Sequence, residues 1–311
     1  MIGFRWIMEK KFYRKLLIYK LFKKVYLDRQ TQEYKLDHDP EKFIKEQYKK
    51  KMGRELKLDD PATYTEKIQW RMLYGEDPLY ITCTDKIAVR DWISDLKKSG
   101  SLDDLKCPEW YGVYYSAEEL DLDELPDTFV LKSSHGSAQI IICTDKSRLD
   151  KDEVRDVLDG WIKKNHFYVA GEKQYRDIRP GIIAEELLSG DIVDYKIFCF
   201  MGKPYISKVT KQNKKSGKSI EANTYYNDWT PVEFKWKATD VPTDFEKPGN
   251  WERMLEIAEI LAAPFNFVRV DLYSIGNSIY FSEMTFTPNH GCEPELPYET
   301  DLRLGKMFDR G

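Results

Sequence analysis

No stretch of eighteen apolar residues occurs anywhere in the 311-residue chain, so nothing in it reads as a membrane span. Histidine is scarce, with four residues, and the five cysteines (Cys83, Cys107, Cys143, Cys199, Cys292) are scattered with no CxxC pair. That excludes a disulfide framework and a structural zinc site, and it fits reduced thiols in a cytoplasm. An excess of positive charge is missing too. The formal net charge is -4, so no global basic field points to nucleic acid. The first residues do not make a secretory signal, because Lys10, Lys11, Arg14 and Lys15 fall where an uncharged apolar stretch belongs. Internal repeats and low-complexity tracts are absent. With 41% hydrophobic and 33% charged residues, the composition is that of a globular protein with a sizeable core.

The charge is unevenly placed. Residues 1–29 hold nine Lys/Arg against two acids, interleaved with Phe4, Trp6, Ile7, Phe12, Leu16, Leu17, Leu21 and Phe22. This reads as a basic amphipathic helix spanning about residues 1–35. Either it packs on the body with a solvated basic face, or it meets an anionic membrane surface or a partner. A mainly helical region is expected over 36–107. Thr63 and Glu66 make a capping box, and a helix from about Asp85 to Lys98 should stop at Gly100.

From about residue 108 short strands and turns take over. Strands are expected at 128–132, 139–143, 182–186, 193–201, 205–211, 267–273 and 278–284, with turns at 202–204 and 276–277. Helices are expected at 150–164 and 251–262, the latter with Met254, Leu255, Ala258 and Leu261 on one face. Hairpins dominate and no regular strand–helix alternation appears. An α+β fold with antiparallel sheets follows.

Chemistry concentrates in a few pieces. On the strand Phe267–Leu272 the side chains of Arg269 and Asp271 share a face, as do Glu283 and Thr285 on the strand that follows. Paired in a hairpin, they bring two carboxylates and a guanidinium to one patch. Such a patch suits a hard divalent cation such as Mg²⁺ beside a phosphoryl group; the plainer alternative is a surface salt-bridge ladder. Lys132 ends an apolar strand and enters the small-residue loop Ser133-Ser134-His135-Gly136-Ser137-Ala138. Such a loop lets backbone N–H groups approach phosphate oxygens, or it is an ordinary hairpin turn. It is not a Walker A loop: the only GK[ST] string, Gly217-Lys218-Ser219, has Gln212 where the first glycine belongs, and residues 211–218 read as a mobile basic loop. Ile182-Ile183-Ala184-Glu185-Glu186-Leu187-Leu188 suits a nucleotide pocket, and Asp194-Tyr195-Lys196 lies on the next strand.

In order, Asp85-Lys86-Ile87-Ala88-Val89-Arg90, the strand ending in Lys132 with its Ser-His-Gly loop, Ala184-Glu185-Glu186, Asp194-Tyr195-Lys196, Arg269-Val270-Asp271 and Glu283-Met284-Thr285 resemble the ATP-grasp superfamily. More closely, they resemble its TupA-like branch, associated with bacterial surface polysaccharides. The resemblance covers roughly residues 60–310 and implies ATP held between two α+β subdomains, a small lid subdomain over 108–190 and a larger one over 191–311. It implies that Lys86 and Lys132 meet the phosphates and that Ser134, His135, Gly136 and Ser137 close over them. Glu185, Glu186, Leu188 and Asp194 would surround the nucleotide. Asp271 and Glu283 would hold Mg²⁺, with Thr285 or Asn289 as a third ligand where the family often has asparagine. Arg269 and Lys196 would act on the group in flight.

The implied reaction is ATP-dependent joining of a carboxylate to an amine through an acyl phosphate. The expected substrates are a uronic-acid carboxylate on a surface glycan and a small amine or amino acid, handled at the inner face of the membrane. Rival readings are a glycan kinase, a glycosyltransferase using Asp121-Leu122-Asp123, and a non-catalytic nucleotide-binding protein.

Overall fold

The computed structural model describes residues 28–190, 192–212, 220–236 and 241–309. Most of the N-terminal basic helix and most of the 211–218 loop lie outside them. Residues 28–38 are helical, and α1 (Pro40–Met52), α2 (Tyr64–Tyr74), α3 (Pro78–Thr84) and α4 (Ala88–Lys97) follow. The capping box forms as expected: Glu66 N–H donates to Thr63 Oγ1 at 3.2 Å, and Thr63 N–H donates to Glu66 Oε2 at 3.0 Å. The helix expected from Asp85 begins only at Ala88. Asp85 instead closes α3, and its Oδ1 accepts from the Ile87 N–H at 2.9 Å, which makes residues 85–87 a turn.

Two sheets follow. The smaller has four strands in the order β2 (Trp110–Tyr114), β5 (Ile182–Glu185), β3 (Phe129–Ser133) and β4 (Ile140–Cys143). The larger is built on β6 (Val193–Phe200), β7 (Lys203–Gln212), β8 (Ile220–Tyr226), β10 (Phe267–Ile275) and β11 (Ser278–Thr285), in the order β1-β11-β10-β6-β7-β8-β9. Its two edge strands, β1 (Leu105–Lys106) and β9 (Val241–Pro242), pair in parallel, and every other ladder is antiparallel. The β6–β7 turn is Met201–Gly202, one residue earlier than expected. Both residues have positive φ, 49° and 74°, which matches the right-handed twist of the flanking strands. A side chain at Gly202 would also press on the Ala263 backbone at 3.2 Å.

Each sheet has a sealed face and an open one. On the larger sheet Tyr195, Ile197, Cys199, Val268, Val270 and Leu272 are buried with the helix Trp251–Ala262, whose inward residues are Trp251, Met254, Ile257, Ala258 and Leu261. Ile257 takes the buried place expected of Leu255, which is only partly covered. On the smaller sheet Phe129, Leu131, Cys143, Ile182 and Ala184 pack against Val154 and Leu158 of α5 (Lys151–Ile162). Alternation along each strand then commits the remaining side chains to the other face. All five cysteines are free thiols, and no helix among the described residues is long and apolar enough to cross a membrane.

A helix near the end of the chain, Tyr298–Gly305, is fastened to α2 by Asp301. This fully buried carboxylate accepts from the Thr65 N–H at 2.9 Å and Thr65 Oγ1 at 2.7 Å, and it pairs with Arg54. Removing one partner of such a group strands the others. Asp301→Ala should lower unfolding free energy by about 3 kcal/mol, read as a shifted urea midpoint with an unchanged slope.

Candidate functional site

The open faces of the two sheets line one cavity of about 870 Å³. From the larger sheet come Asp194, Lys196 and Phe198 on β6, Lys208 and Thr210 on β7, Arg269 and Tyr273 on β10, and Phe281, Ser282 and Glu283 on β11. The register explains why they meet. Lys196 pairs with Asp271 and with Lys208 across its two ladders, and Asp271 pairs with Glu283. One row of charge therefore runs across four strands. An irregularity between Asp271 and Leu272 leaves Ser282 as an extra residue on β11, and three consecutive side chains there reach the cavity.

Arg269 organises this wall. Its Nε donates to Asp271 Oδ1 at 2.7 Å and its Nη2 to Asp271 Oδ2 at 2.6 Å; Nη2 also reaches Thr285 Oγ1 at 3.0 Å and Glu283 Oε1 at 3.2 Å. Burial works against the guanidinium charge, but Asp271 and Glu283 outweigh it and hold the group charged. Burial likewise pushes the Asp271 carboxyl up, against Arg269 and Lys196. Glu283 goes the other way: burial is outweighed by Lys86, Arg269 and Lys196, and its carboxyl titrates lower. Lys196 pairs with Asp194 and lies 3.7 Å from Asp271 Oδ2, and burial depresses its ammonium.

The smaller sheet supplies the facing wall. Val130 and Lys132 point into the cavity from β3, and Ile140 and Ile142 from β4. The two isoleucines are 52% and 55% exposed and form an apolar shelf on the edge strand. Lys132 Nζ pairs with Glu185 Oε1 at 2.6 Å, and Arg90 reaches Glu185 Oε2 at 3.4 Å while lying over the Trp110 ring. Lys86 crosses from the turn before α4 and donates to the Gly136 carbonyl at 2.7 Å; burial lowers its ammonium.

Twelve of the sixteen residues expected from sequence line this cavity: Lys86, Lys132, Gly136, Ser137, Glu185, Glu186, Leu188, Asp194, Lys196, Arg269, Glu283 and Asn289. Four do not. Ser134 and His135, expected over phosphate, turn into the protein. Ser134 Oγ donates to the Arg179 carbonyl at 3.3 Å. The Gly181 N–H donates to His135 Nδ1 at 3.3 Å, which leaves Nε2–H to donate to the Trp161 carbonyl at 2.9 Å. Asp271 and Thr285 lie behind Arg269. Glu185 lines the cavity, but both its oxygens are engaged by Lys132 and Arg90, so it anchors the lysine instead of offering a free carboxylate to a ribose. Asp121 and Asp123 lie off the cavity, and Asp123 pairs with Lys151. Lys208, Trp236, Arg90 and Glu293 were not foreseen. The Lys196–Lys208 hairpin register offered a signal for the first; Trp236 and Glu293 sit outside regular strands, and Arg90, on α4, bears on the cavity through Glu185.

The donors fit Mg²⁺ in kind. Glu283 and Asn289 offer hard oxygens on the cavity wall, and Asp271 offers two more once Arg269 leaves them. Asn289 Nδ2 donates to Glu293 Oε1 at 2.7 Å, so its Oδ1 is the atom left for a cation. No cluster of three acidic, histidine or cysteine ligands exists among the described residues; Mg²⁺ commonly takes one or two carboxylates and completes its shell with water and substrate phosphates.

Residues 66–309 match the family described as TupA-like ATPgrasp. The chain belongs to that family. Its α+β architecture, with two largely antiparallel sheets walling a charged cavity, is the ATP-grasp fold. No curated protein matches. Among solved structures, D-alanine–D-alanine ligase from Bacillus anthracis complexed with ATP is similar at 14% identity and a TM-score of 0.40, over 78% of this chain and 68% of that one. L-amino acid ligase from Bacillus licheniformis is similar at 15% and 0.43, over 73% and 52%. D-alanine–D-alanine ligase from Helicobacter pylori is similar at 15% and 0.38, over 73% and 61%.

A buried cluster braces the loop that carries Asn289 in this ATP-grasp chain. Glu172 accepts from Thr287 Oγ1 and lies 2.7 Å from His290 Nδ1, and Gln174 Nε2 donates to Thr287 Oγ1 at 2.7 Å. His166 lies beside Glu172 and is buried, and desolvation lowers its pKa from 6.5 to about 4. Between those values the unfolded chain binds a proton that the folded chain refuses. Stability is therefore full above pH 6.5 and falls as pH drops toward 4, by about 3 kcal/mol in all. Urea titrations at pH 4.5 and 7 should show this loss in the wild type and a smaller loss in His166→Gln.

Proposed function

We propose that this protein is an ATP-dependent carboxylate–amine ligase. One observation carries the reading. Lys86, Lys132, Lys196 and Arg269 surround a single cavity together with Glu283, and no cysteine or histidine among the described residues lines it. Such a wall stabilises charge on a phosphoryl group in transfer and offers little as a nucleophile.

The residues divide the work by position. Lys132 and Lys86 meet phosphate oxygens from the small-sheet side, exchanging their contacts to Glu185 and the Gly136 carbonyl. The apolar shelf of Ile140 and Ile142, with Leu188, takes the base. Asp271 and Glu283 would hold Mg²⁺, which when bound would supply neutralising charge beside the phosphate oxygens. Arg269 faces the transferring phosphoryl group while a substrate carboxylate attacks the γ-phosphorus, giving an acyl phosphate and ADP. An amine then attacks the acyl carbon and inorganic phosphate leaves, forming an amide. Positioning and electrostatics account for most of the acceleration in such a site.

The acceptor we propose is a uronic-acid carboxylate of a bacterial surface glycan or its lipid-linked precursor, joined to an amino acid or similar amine. The family resemblance supports this. The basic segment 1–29 would hold the enzyme against an anionic membrane face where such precursors reside.

Calorimetry with ATP, with and without Mg²⁺, tests the nucleotide site. Micromolar, Mg²⁺-dependent binding is expected, weakened about a hundredfold or more in the Asp271→Ala/Glu283→Ala variant. Folded wild-type protein that binds no ATP would refute the reading. Incubation of ATP with uronic acids and amines should then release ADP and inorganic phosphate together. ADP without free phosphate would mark a kinase instead.

A further inference from the structure

His135 is buried, yet the chemistry proposed above makes no use of it. Both its ring nitrogens are engaged. Nδ1 accepts from the Gly181 N–H at 3.3 Å, and Nε2–H donates to the Trp161 carbonyl at 2.9 Å. Desolvation lowers its pKa, so at neutral pH the ring keeps the one acceptor and the one donor that these contacts need. Trp161 lies in the last turn of α5, and Gly181 immediately precedes β5. A residue of the β3–β4 loop therefore bridges two other elements beside the small sheet.

The contacts around the ring divide that loop in two. The first half is held. Ser134 N–H donates to the Gly181 carbonyl at 2.9 Å, Lys86 N–H donates to the Ser134 carbonyl at 3.2 Å, and Ser134 Oγ donates to the Arg179 carbonyl at 3.3 Å. Ser133, Ser134 and His135 are all buried. The second half is open. Ser137 and Ala138 are exposed, and Ala138 has a left-handed φ of 57°. Gly136, Ser137 and Ala138 all line the nucleotide cavity. Gly136 joins the halves: a Cβ there would lie 2.1 Å from Gln139 Oε1 and 2.8 Å from Ser133 Oγ, so a side chain would displace both.

A tip of small residues offers its N–H groups to an anion with useful precision only if the stem beneath it stays in place. His135 is the stem residue next to Gly136. Removing its ring takes the acceptor from the buried Gly181 N–H and frees the stem from α5. A buried donor left in that state draws the backbone toward another partner, and the tip moves with it.

We propose that His135 is the positioning residue of the β3–β4 loop: it does not touch the nucleotide, and its two ring contacts fix where Gly136, Ser137 and Ala138 meet the phosphates. This rests on the nucleotide reading given above. It adds an expectation that the reading alone does not carry, that the phosphate end of the ligand feels the histidine and the base end does not.

The test uses the full chain. ATP with Mg²⁺ is titrated calorimetrically, and adenosine, which has base and sugar but no phosphate, is followed by the shifts of its own NMR signals. His135→Ala should weaken ATP binding about tenfold or more and leave adenosine binding within about twofold. His135→Asn puts an amide oxygen close to the place of Nδ1, and His135→Gln puts an amide N–H close to the place of Nε2, so each should recover part of the loss. These two also keep the test decisive if His135→Ala fails to fold. Equal loss of ATP and adenosine in folded variants, as a purely structural role would give, or ATP binding unchanged in all three, would overturn the assignment while the nucleotide reading stands. Wild-type protein that binds neither ligand would overturn both.

Discussion

The grip of Arg269 on Asp271 is the interaction on which the larger sheet's open face depends. Two nearly parallel N–H···O contacts hold a buried carboxylate that would otherwise be costly to leave ionised. The same guanidinium reaches Glu283 and Thr285 on the neighbouring strand, while Lys196 approaches Asp271 from the opposite side. Along the contacts Lys196–Asp271–Arg269–Glu283 bases and acids thus alternate, and each offsets its neighbours. Without that compensation a row of charge could not sit over a sheet whose other face is packed with Trp251, Met254 and Leu261.

This arrangement also makes the site responsive. Asp271 is sequestered by Arg269, so a cation can claim its oxygens only in competition with the arginine. Anionic phosphate gives the guanidinium somewhere else to go. Metal and nucleotide should therefore favour each other, because each relieves the other's cost. The same logic applies across the cavity, where Lys132 and Lys86 are parked on Glu185 and on the Gly136 carbonyl.

Much of this was legible in the sequence because a strand has a period of two. Arg269 with Asp271, and Lys132 among Phe129, Val130 and Leu131, could be assigned to faces from spacing alone. The turn at 276–277 falls where the spacing put it, whereas the one expected at 202–204 sits at 201–202. Spacing could not show which way a loop turns. Ser134 and His135 looked like phosphate contacts, but their direction is set by Arg179, Gly181 and Trp161, which are distant in the chain. Nor could it show that Asp271 lies behind Arg269, since sharing a face says nothing about depth. Trp236 and Glu293 lie outside regular strands, where no period exists to read. The start of α4 was misplaced because Asp85 can cap the helix before it as readily as the helix after it.

The edge strand β4 carries a last consequence. Ile140 and Ile142 stand open to solvent on a strand that, among the described residues, has no neighbour on its outer side. Unpaired strand edges with apolar side chains are where separate copies of a chain first adhere. The strip proposed to take the base is thus also an exposed apolar strip at the rim of the small sheet. A filled pocket would cover it, so nucleotide should act on this protein as a solubiliser, keeping concentrated solutions clear that would cloud without it.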